Sequence, residues 1–458
     1  MKVFLGNAPW RKPGFYGVRA GSRWPHFEAD GCSYMPFPFF LAYATSLLRD
    51  DGFTPFLVDA VAEDIEDETF FERIVSFGPD IIFFEISSAS LNTDLRVLHH
   101  VRKLMGKDVK IIFGGAHQDL GNSEFLSEKP ELDFALGGEY EFPLLSLLQA
   151  IRDQTSLEKV PGLAWRDERG GVRINSRGTL HANLDDFPWP ARDMLPMARY
   201  NDRPGGIPAP SLQILASRGC PFGCVFCAWP QLMYGGSSYR TRSSKDIVDE
   251  IESCVKTYGS RSFYFDDDTF NVGKTRIMDL CREIKSRKLN LPWAIMARAD
   301  QMDRELLETL KDAGLHALKY GVESGAQEIL DGACKGLDLE KVGETIKITR
   351  ELGIQYHLTF MFGLPGETEE TARETMALAL DLDPDSLQFS IATPFPGSRF
   401  YDMLLKSGHL LSTNPDEYDG YHNAVVRTEA LSHTDLLSLR NEAENLWKEH
   451  CRQRRARE

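Results

Sequence analysis

The sequence predicts an α/β protein with two domains, a doubly wound Rossmann-like or flavodoxin-like domain followed by a partial (β/α)6 TIM-type barrel. Three observations predict this fold. Strand and helix patterns alternate over the first 150 residues, a second alternating series begins near Leu212, and a loop just after Ala216 carries three closely spaced cysteines. Alternating strands and helices are typical of parallel sheets covered by helices.

Five apolar strands are predicted in the first domain. They cover residues 2–5, 54–58, 81–86, 109–113 and 134–136, with helices predicted over 38–49, 70–77, 91–104 and 142–151. In such sheets ligands bind beyond the carboxyl ends of the strands. Polar residues and glycines follow three of these strands, and they are candidates for ligand binding: Ser87, Ser88, Ser90, Gly114, Gly115, His117, Gly137, Gly138 and Glu139.

Residues 153–208 are predicted to form a small hairpin, with its turn at Gly170-Gly171, and then a proline-rich linker. The predicted domains are therefore residues 1–152, the linker 153–208, the barrel 209–400 and a helical C-terminal extension 401–458. Six further strands are predicted near 212–216, 262–266, 292–297, 316–321, 355–362 and 386–392. Because barrel chemistry concentrates at the carboxyl ends of strands, we expect the functional residues of the second domain there.

Cys220, Cys224 and Cys227 lie on one short loop directly after a predicted strand. Three thiolates so close together indicate a site for a soft metal. An iron–sulfur cube bound by three cysteines leaves one iron open to bind a substrate group. A zinc site completed by a remote ligand remains an alternative, although zinc motifs usually contain paired C-x-x-C units. A disulfide framework is disfavoured, because the other five cysteines are scattered singly.

Composition limits the possible partners and location. The chain has 458 residues, with 68 acidic and 52 basic residues and a net charge of −16. This charge disfavours nonspecific binding to nucleic acid and to anionic membranes. No apolar run approaches the roughly 20 residues that span a bilayer, and the N-terminus lacks the apolar region of a signal peptide. We therefore expect a cytoplasmic protein without a membrane span.

The cysteine motif, with Phe226 directly before its last cysteine, resembles the signature of the radical SAM superfamily. The sequences FDDDTF (265–270), GVESG (321–325), GLPGET (363–368) and TPFPG (393–397) follow in the order shown by that superfamily. The resemblance covers about residues 210–400. It implies a [4Fe-4S] cluster on the three cysteines and S-adenosylmethionine (SAM) as cofactor. The residues that it indicates for SAM binding are Phe226, Asp267, Asp268, Arg298, Glu323, Ser324, Gly363 and Pro365.

The sequences IIFGGAH (111–117) and DFALGGEYE (133–141) resemble the N-terminal cobalamin-binding domain fused to one large class of radical SAM enzymes. Small residues there would let the backbone approach a bulky cofactor tail. The resemblance implies a cobalamin site formed by Ser88, Ser90, Gly114, Gly115, His117, Gly138 and Glu139. The motif D-x-H-x-x-G, which supplies an axial histidine in other cobalamin domains, is absent. We therefore expect base-off binding without that histidine.

The combined resemblance implies an enzyme that methylates an unactivated carbon through a 5'-deoxyadenosyl radical and methylcobalamin. It further implies a small-molecule or biosynthetic-intermediate substrate and an electron donor such as flavodoxin or ferredoxin. The sequence assigns no residue a direct catalytic role. Two alternatives stay open, a radical SAM/cobalamin cyclase or rearrangement enzyme without net methylation, and a cobalamin- or metal-binding sensor without turnover. A methylthiotransferase is disfavoured, because only Cys32 precedes residue 220.

Overall fold

The computed structural model describes residues 1–19, 25–32 and 34–457. The chain divides into two compact units. Unit 1 contains Met1–Asn201 and Trp229–Gly236, and unit 2 contains Asp202–Ala228 and Ser237–Glu458. Each unit is built on its own β-sheet.

Unit 1 is built on a sheet with the strand order β10-β9-β8-β7-β6-β1-β5. Its strands, with those of a small antiparallel sheet, are β1 (Lys2–Asn7), β2 (Arg11–Lys12), β3 (Phe15–Val18), β4 (His26–Ala29), β5 (Thr54–Asp59), β6 (Ile81–Ser87), β7 (Lys110–Ala116), β8 (Phe134–Gly137), β9 (Leu163–Arg166) and β10 (Val172–Ile174). Strands β5, β1, β6, β7 and β8 are parallel neighbours. Numbered along the chain, their order is 2-1-3-4-5, which is that of flavodoxin-like folds. The predicted doubly wound domain is confirmed.

Helices cover the sheet of unit 1. They are α1 (Phe39–Asp50), α2 (Ala60–Glu63), α3 (Asp67–Phe77), α4 (Leu91–Met105), α5 (Ser123–Ser127) and α6 (Glu141–Arg152). Helix α4 shows why these segments are helical, since Val97, Leu98 and Val101 recur on one buried face. The core between helices and sheet includes Phe4, Phe84 and Phe113, which are almost completely buried. This packing fixes the strand ends that carry the candidate ligand-binding residues.

The predicted hairpin forms part of the first sheet. Strand β9 pairs antiparallel with β8 and with β10. Asp167 stabilises the turn by accepting hydrogen bonds from the N–H groups of Arg169 and Gly171, at 3.0 and 2.9 Å. The hairpin therefore extends the sheet beyond β8 and is not a free connector. The antiparallel sheet β2-β3-β4 was not predicted, because its strands are short and lack an alternating pattern.

Unit 2 is built on six parallel strands in the order β11-β14-β15-β16-β17-β18. Its strands, with those of a small ribbon, are β11 (Ser211–Ile214), β12 (Ser217–Arg218), β13 (Arg240–Thr241), β14 (Ser262–Phe265), β15 (Trp293–Ala297), β16 (Leu315–Glu323), β17 (Gln355–Phe362) and β18 (Ser386–Ile391). Each of the six main strands differs by at most two residues at either end from its prediction. The predicted partial (β/α)6 barrel is confirmed.

Helices connect the strands of unit 2 and continue to the C-terminus. They are α7 (Ala228–Tyr234), whose residues from Trp229 belong to unit 1, α8 (Ser244–Tyr258), α9 (Lys274–Ser286), α10 (Arg304–Asp312), α11 (Gln327–Gly332), α12 (Leu339–Glu351), α13 (Glu369–Asp381), α14 (Arg399–Ser407) and α15 (His433–Arg457). Helix α15 packs on α13, β17 and β18. Within the part of the chain that the structure describes, no helix is both long and apolar enough to cross a bilayer.

Candidate functional site

The three cysteines of unit 2 lie on a loop whose base is held by the ribbon β12-β13. Ser217 and Arg218 pair with Thr241 and Arg240. The loop then turns at Gly219, which has a positive φ of 88°. A Cβ atom at this position would lie 2.4 Å from the carbonyl oxygen of Ser238, so only glycine fits. The backbone that leads into Cys220 therefore has a fixed conformation.

The electrostatic environment of the three thiols fits a metal centre. Burial raises the pKa of Cys227 well above its usual value, and the neighbouring Cys224 and Cys220 raise it further. Burial also raises the pKa of Cys220. Positive charge on a bound metal would offset this penalty and deprotonate the thiols. Among the described residues, no group of three His, Cys, Asp or Glu side chains converges as ligands of a single metal ion.

The acidic residues after β14 hold the cysteine loop in place. Asp267 is fully buried and accepts hydrogen bonds from Ala216 N–H, at 2.8 Å, and from the Ser217 hydroxyl. Asp268 accepts a hydrogen bond from Gly219 N–H at 2.7 Å. Burial raises the pKa of Asp267 to about 6, although both hydrogen bonds lower it. The oxygens of Asp267 are thus already engaged by the chain, and its predicted contact with SAM remains a prediction.

Thr269 extends this arrangement to the first cysteine. Its hydroxyl lies 3.2 Å from the Cys220 sulfur, within hydrogen-bonding distance for sulfur. The sequence analysis did not select Thr269, although it follows Asp268 directly. Hydrogen bonds to ligating sulfurs influence the potential of an iron–sulfur cluster.

Arg298, at the end of β15, also contacts the cysteine loop. Its guanidinium pairs with Asp300 at 2.8 Å and donates to the carbonyls of Lys335 and Gly336, at 2.9 Å each. The guanidinium carbon lies 3.8 Å from the centre of the Phe222 ring, a cation–π contact. Arg298 therefore joins the cysteine loop to the segment after α11, and its predicted role in SAM binding remains a prediction.

Glu323 and Lys335 form a buried ion pair near the cysteines. Lys335 Nζ lies 3.0 Å from Glu323 Oε1, and both residues are at most 7% exposed. Burial alone would lower the pKa of Lys335, but Glu323 and Cys224 raise it overall. The Lys335 ammonium also lies 5.8 Å from the centre of the Phe226 ring. A cation is thus held beside the second cysteine.

Ser324 and the turn after β17 serve mainly to shape the strand ends. The Ser324 hydroxyl lies 3.2 Å from Thr375 Oγ1 and accepts from Ala326 N–H at 3.2 Å. Gly363 has a φ of 95° and donates its N–H to the carboxylate of Glu367. Glu367 is completely buried, and burial raises its pKa to about 8. This carboxyl group closes the turn that contains Pro365.

In unit 1, the end of β6 meets the end of β7 through a hydrogen bond between side chains. Ser88 Oγ lies 3.0 Å from His117 Nδ1. The other ring nitrogen of His117 is buried and makes no hydrogen bond within residues 1–19, 25–32 and 34–457, with Asp119 Oδ2 3.4 Å away. An unsatisfied imidazole nitrogen at the ligand-binding edge of the sheet fits a polar group of a bound cofactor.

Ser90 belongs to a separate buried chain of polar contacts. Its hydroxyl donates to Asp94 at 2.6 Å, and Asp94 pairs with Arg19 at 2.8 Å. Burial raises the pKa of Asp94, while Arg19 lowers it. Ser90 and Ser88, predicted together, therefore have different immediate partners.

The predicted glycines mainly make room for the protein's own atoms. A Cβ at Gly114 would lie 2.4 Å from the Phe83 ring, and one at Gly115 would lie 2.7 Å from Ile86 O. A Cβ at Gly138 would lie 2.8 Å from Met233 O, and the next residue, Glu139, donates its N–H to the same oxygen at 3.0 Å. Their proposed contact with cobalamin remains a prediction.

Comparison with known families decides the assignment. Residues 214–379 match the sequence model of the radical SAM superfamily, and residues 35–148 match that of the B12 binding domain. The chain is 30% identical to an uncharacterized methyltransferase of Pyrococcus horikoshii over 83% of this chain and 81% of that protein. The chain belongs to the cobalamin-dependent radical SAM enzymes. The cofactors of this family are a [4Fe-4S] cluster, SAM and cobalamin.

This radical SAM enzyme also resembles a cyclase in sequence and a methyltransferase of known structure in fold. An anaerobic magnesium-protoporphyrin IX monomethyl ester cyclase of Rubrivivax gelatinosus is 28% identical over 87% of this chain and 71% of the cyclase. The solved structure of the radical SAM methyltransferase TsrM from Kitasatospora setae, with cobalamin and [4Fe-4S] cluster bound, superposes with a TM-score of 0.69. It covers 89% of this chain and 75% of TsrM at 21% identity, and it supports the fold.

The structure adds residues that sequence reasoning did not select. Lys335, Glu367 and Thr269 all lie at the strand-end site of unit 2. Thr269 and Glu367 fall inside the motifs FDDDTF and GLPGET. A closer look at the polar residues in those motifs would have found them. Lys335 lies twelve residues after Glu323 and is brought to it by helix α11, so no local pattern indicates the pair.

Proposed function

We propose that this radical SAM enzyme transfers a methyl group to an unactivated carbon of a small-molecule substrate. The proposal rests on one observation: a three-cysteine loop and a sheet that matches the B12 binding domain occur in one chain, which resembles an uncharacterized methyltransferase over most of both lengths. When bound, the cofactors would supply a 5'-deoxyadenosyl radical that can remove a hydrogen atom from the substrate carbon, and a methyl donor for the substrate radical that remains. The chain must bind and position them.

Cys220, Cys224 and Cys227 would hold the cluster and leave one iron open to SAM. Asp267 and Asp268 support this by fixing the backbone from Ala216 to Gly219.

Glu323 and Lys335 are the leading candidates for the polar groups of SAM. They are buried close to Cys224, and SAM carries both an ammonium and a carboxylate. Arg298 would stabilise the same side of the site through its contact with Phe222 of the cysteine loop. Phe226, Ser324, Gly363 and Pro365 would shape the remaining surface. Removing water from this region would strengthen each of these charge contacts.

In unit 1, Ser88 and His117 are the candidates for polar contact with cobalamin. Ser88 contacts Nδ1 and so orients the imidazole, while Nε2, 3.4 Å from Asp119, is the nitrogen that would face the cofactor. Ser90, Gly114, Gly115, Gly138 and Glu139 would support the same edge. Because Ser88 Oγ contacts His117 Nδ1 and so orients the ring, removal of the Ser88 hydroxyl should weaken cofactor binding through His117.

A cyclase is the second candidate, because the chain also resembles a named cyclase over 87% of its length. The two reactions differ in how SAM is consumed. Methyl transfer needs one SAM to supply the methyl group and a second to form the radical. Equal amounts of S-adenosylhomocysteine and 5'-deoxyadenosine are therefore expected with the methyl acceptor. A cyclase would form 5'-deoxyadenosine without S-adenosylhomocysteine, and that result would overturn the proposal.

We further propose flavodoxin or ferredoxin as electron donor and the cytoplasm as location. All eight cysteines are free thiols, which is usual in a reducing compartment. The reduced form of either donor should replace a chemical reductant in SAM cleavage. Failure of both donors, with cleavage by the chemical reductant intact, would contradict this choice of partner.

A further inference from the structure

Arg177, which follows strand β10, reaches the glycine loop at the end of β8. Its guanidinium NH2 lies 3.2 Å from the position that a Cβ of Gly137 would occupy, and its central carbon lies 3.6 Å from that of Gly138. NH1 lies 3.8 Å from the corresponding position at Gly235. All of these residues belong to unit 1. The positively charged guanidinium of Arg177 therefore lies next to the backbone of glycine residues, which have no side chains.

Arg177 has no partner for its charge. Within residues 1–19, 25–32 and 34–457, it forms no ion pair and no hydrogen bond, and no carboxylate influences its pKa. Partial burial lowers that pKa, so the environment disfavours the charge without offsetting it. Two other arginines of the hairpin differ. Arg173 pairs with Asp167 at 2.8 Å, and Arg166 donates to the carbonyl oxygen of Lys129 at 2.9 Å.

What distinguishes Arg177 is its place against the glycine loop, where part of its guanidinium is withdrawn from water. A guanidinium without a carboxylate partner keeps its hydrogen-bond donors for an anionic group of a ligand. Arg177 remains exposed, so a ligand can reach it.

The position of Arg177 indicates which ligand it serves. Gly137 pairs with Gly115 of β7, and Gly115 pairs with Ile86 of β6. The guanidinium is therefore at the level of the strand ends that carry Ser88 and His117. Cobalamin has amide side chains around its ring, and the phosphodiester of its nucleotide tail is its anionic group.

We propose that Arg177 binds the phosphodiester of the cobalamin nucleotide tail and so selects corrinoids that carry it. The inference rests on cobalamin being the corrinoid of this enzyme. A guanidinium can donate two parallel hydrogen bonds to phosphate oxygens, which a lysine cannot. Gly137 and Gly235 leave the space beside it open.

The test compares three corrinoids on the full-length apoprotein by absorbance titration. Hydroxocobalamin carries the whole tail, cobinamide phosphate keeps a phosphate without the base, and cobinamide lacks both. We expect Arg177→Gln to weaken binding of the two phosphate-bearing corrinoids by about tenfold to a hundredfold and to leave cobinamide unchanged. Arg177→Lys should recover only part of the loss. The matched control, Arg173→Gln, should leave all three affinities unchanged.

Unchanged cobinamide binding also shows that the variant is folded. An equal loss for all three corrinoids would overturn the proposal and make Arg177 a structural residue. It would also be overturned if the wild type bound cobinamide as tightly as cobalamin, or if Arg177→Gln changed nothing. If the wild-type protein bound none of the three, the cofactor assignment under the proposed function would fail instead.

Discussion

The region beside the cysteines of unit 2 and the ends of β5 and β6 in unit 1 stabilise buried carboxyl groups differently. The contrast is local, because unit 1 also contains the buried pair Arg19–Asp94 and unit 2 also contains Glu367, whose pKa is raised by burial. In unit 2, a carboxylate near the cysteines is paired with a cation, as Glu323 is with Lys335. In unit 1, Asp59 and Glu85 receive hydrogen bonds from tyrosine hydroxyls, from Tyr200 and Tyr140 at 3.0 Å each. Burial raises the pKa of Asp59 to about 6 and that of Glu85 to about 7.

This difference matches the cofactors. SAM and an iron–sulfur cluster are charged, and a site of paired ions can exchange partners with them. The corrin ring presents neutral amides, and carboxyl groups that accept hydrogen bonds from tyrosine hydroxyls suit such a surface. Strand ends of the same kind can therefore suit a charged or a neutral ligand. Which ligand they suit depends on whether the buried carboxyl groups there are paired with a cation.

The largest expected effect comes from breaking the ion pair of unit 2. Lys335→Met leaves Glu323 buried without its cation, which typically costs about 3–5 kcal/mol of unfolding free energy. Urea unfolding of the apoprotein measures it. The matched control is Lys245→Met, because Lys245 is exposed and pairs with the half-buried Asp249 at 2.5 Å; this variant should lose under about 1 kcal/mol. Equal losses for the two variants would contradict the buried-pair interpretation.

The next effect concerns glycines that the two units use for close backbone packing. Gly219→Ala in unit 2 and Gly138→Ala in unit 1 each combine a positive φ with a Cβ closer than 3.0 Å to a carbonyl oxygen. We expect each to lose about 2–4 kcal/mol in thermal or urea unfolding. Gly259→Ala is the control, because it has a positive φ of 65° but open space around it. A loss at Gly259 as large as at Gly219 would show that strain alone decides the cost.

Most of the fold could be predicted from the sequence, because strands and helices alternate with clear apolar patterns. The strands of both sheets lie close to their predicted bounds, and the cysteine motif is contiguous. The small sheet β2-β3-β4 was missed, since its short strands gain stability from tertiary packing such as Trp10 against Gly17. Local pattern carries no signal for such contacts.

The site was predicted in part. The residues at strand ends were found, but the partners that engage them were not, because Asp267, Arg298 and Ser324 bond to backbone or side chains distant in sequence. Lys335 and Arg177 were missed for the same reason. Lys335 is relevant to the site because it lies beside the Glu323 carboxylate, and Arg177 because it lies beside glycines that have no side chains.

A pH dependence of stability is expected from buried carboxyl groups in both units, at a different pH for each group. A carboxyl whose pKa is raised on folding binds a proton more tightly in the folded state. Its contribution to stability is present below about pH 4.5 and is lost as pH rises to about 7 for Glu85. The slope per group is at most about 1.4 kcal/mol per pH unit. Glu85→Gln should therefore reduce the pH dependence of the unfolding free energy between about pH 4.5 and 7.

The groups around Glu85 that influence this titration are Tyr140, Glu141, Arg19 and Asp59. The exposed Glu72→Gln serves as control and should keep the wild-type slope. Glu367→Gln in unit 2 should instead remove the part of the slope that extends to about pH 8. If Glu85→Gln kept the full wild-type slope, Glu85 would be ionised in the folded state at neutral pH and the contrast between the units would fail.

The most direct test is anaerobic reconstitution with iron, sulfide and hydroxocobalamin, followed by SAM and a strong reductant. Mass spectrometry then measures 5'-deoxyadenosine, and absorbance measures bound corrin. We expect 5'-deoxyadenosine to form with about one corrin bound per chain, and changing Cys220, Cys224 and Cys227 to Ala to abolish its formation while corrin still binds. SAM cleavage without corrin binding, or corrin binding without SAM cleavage, would contradict the claim that one chain combines both chemistries.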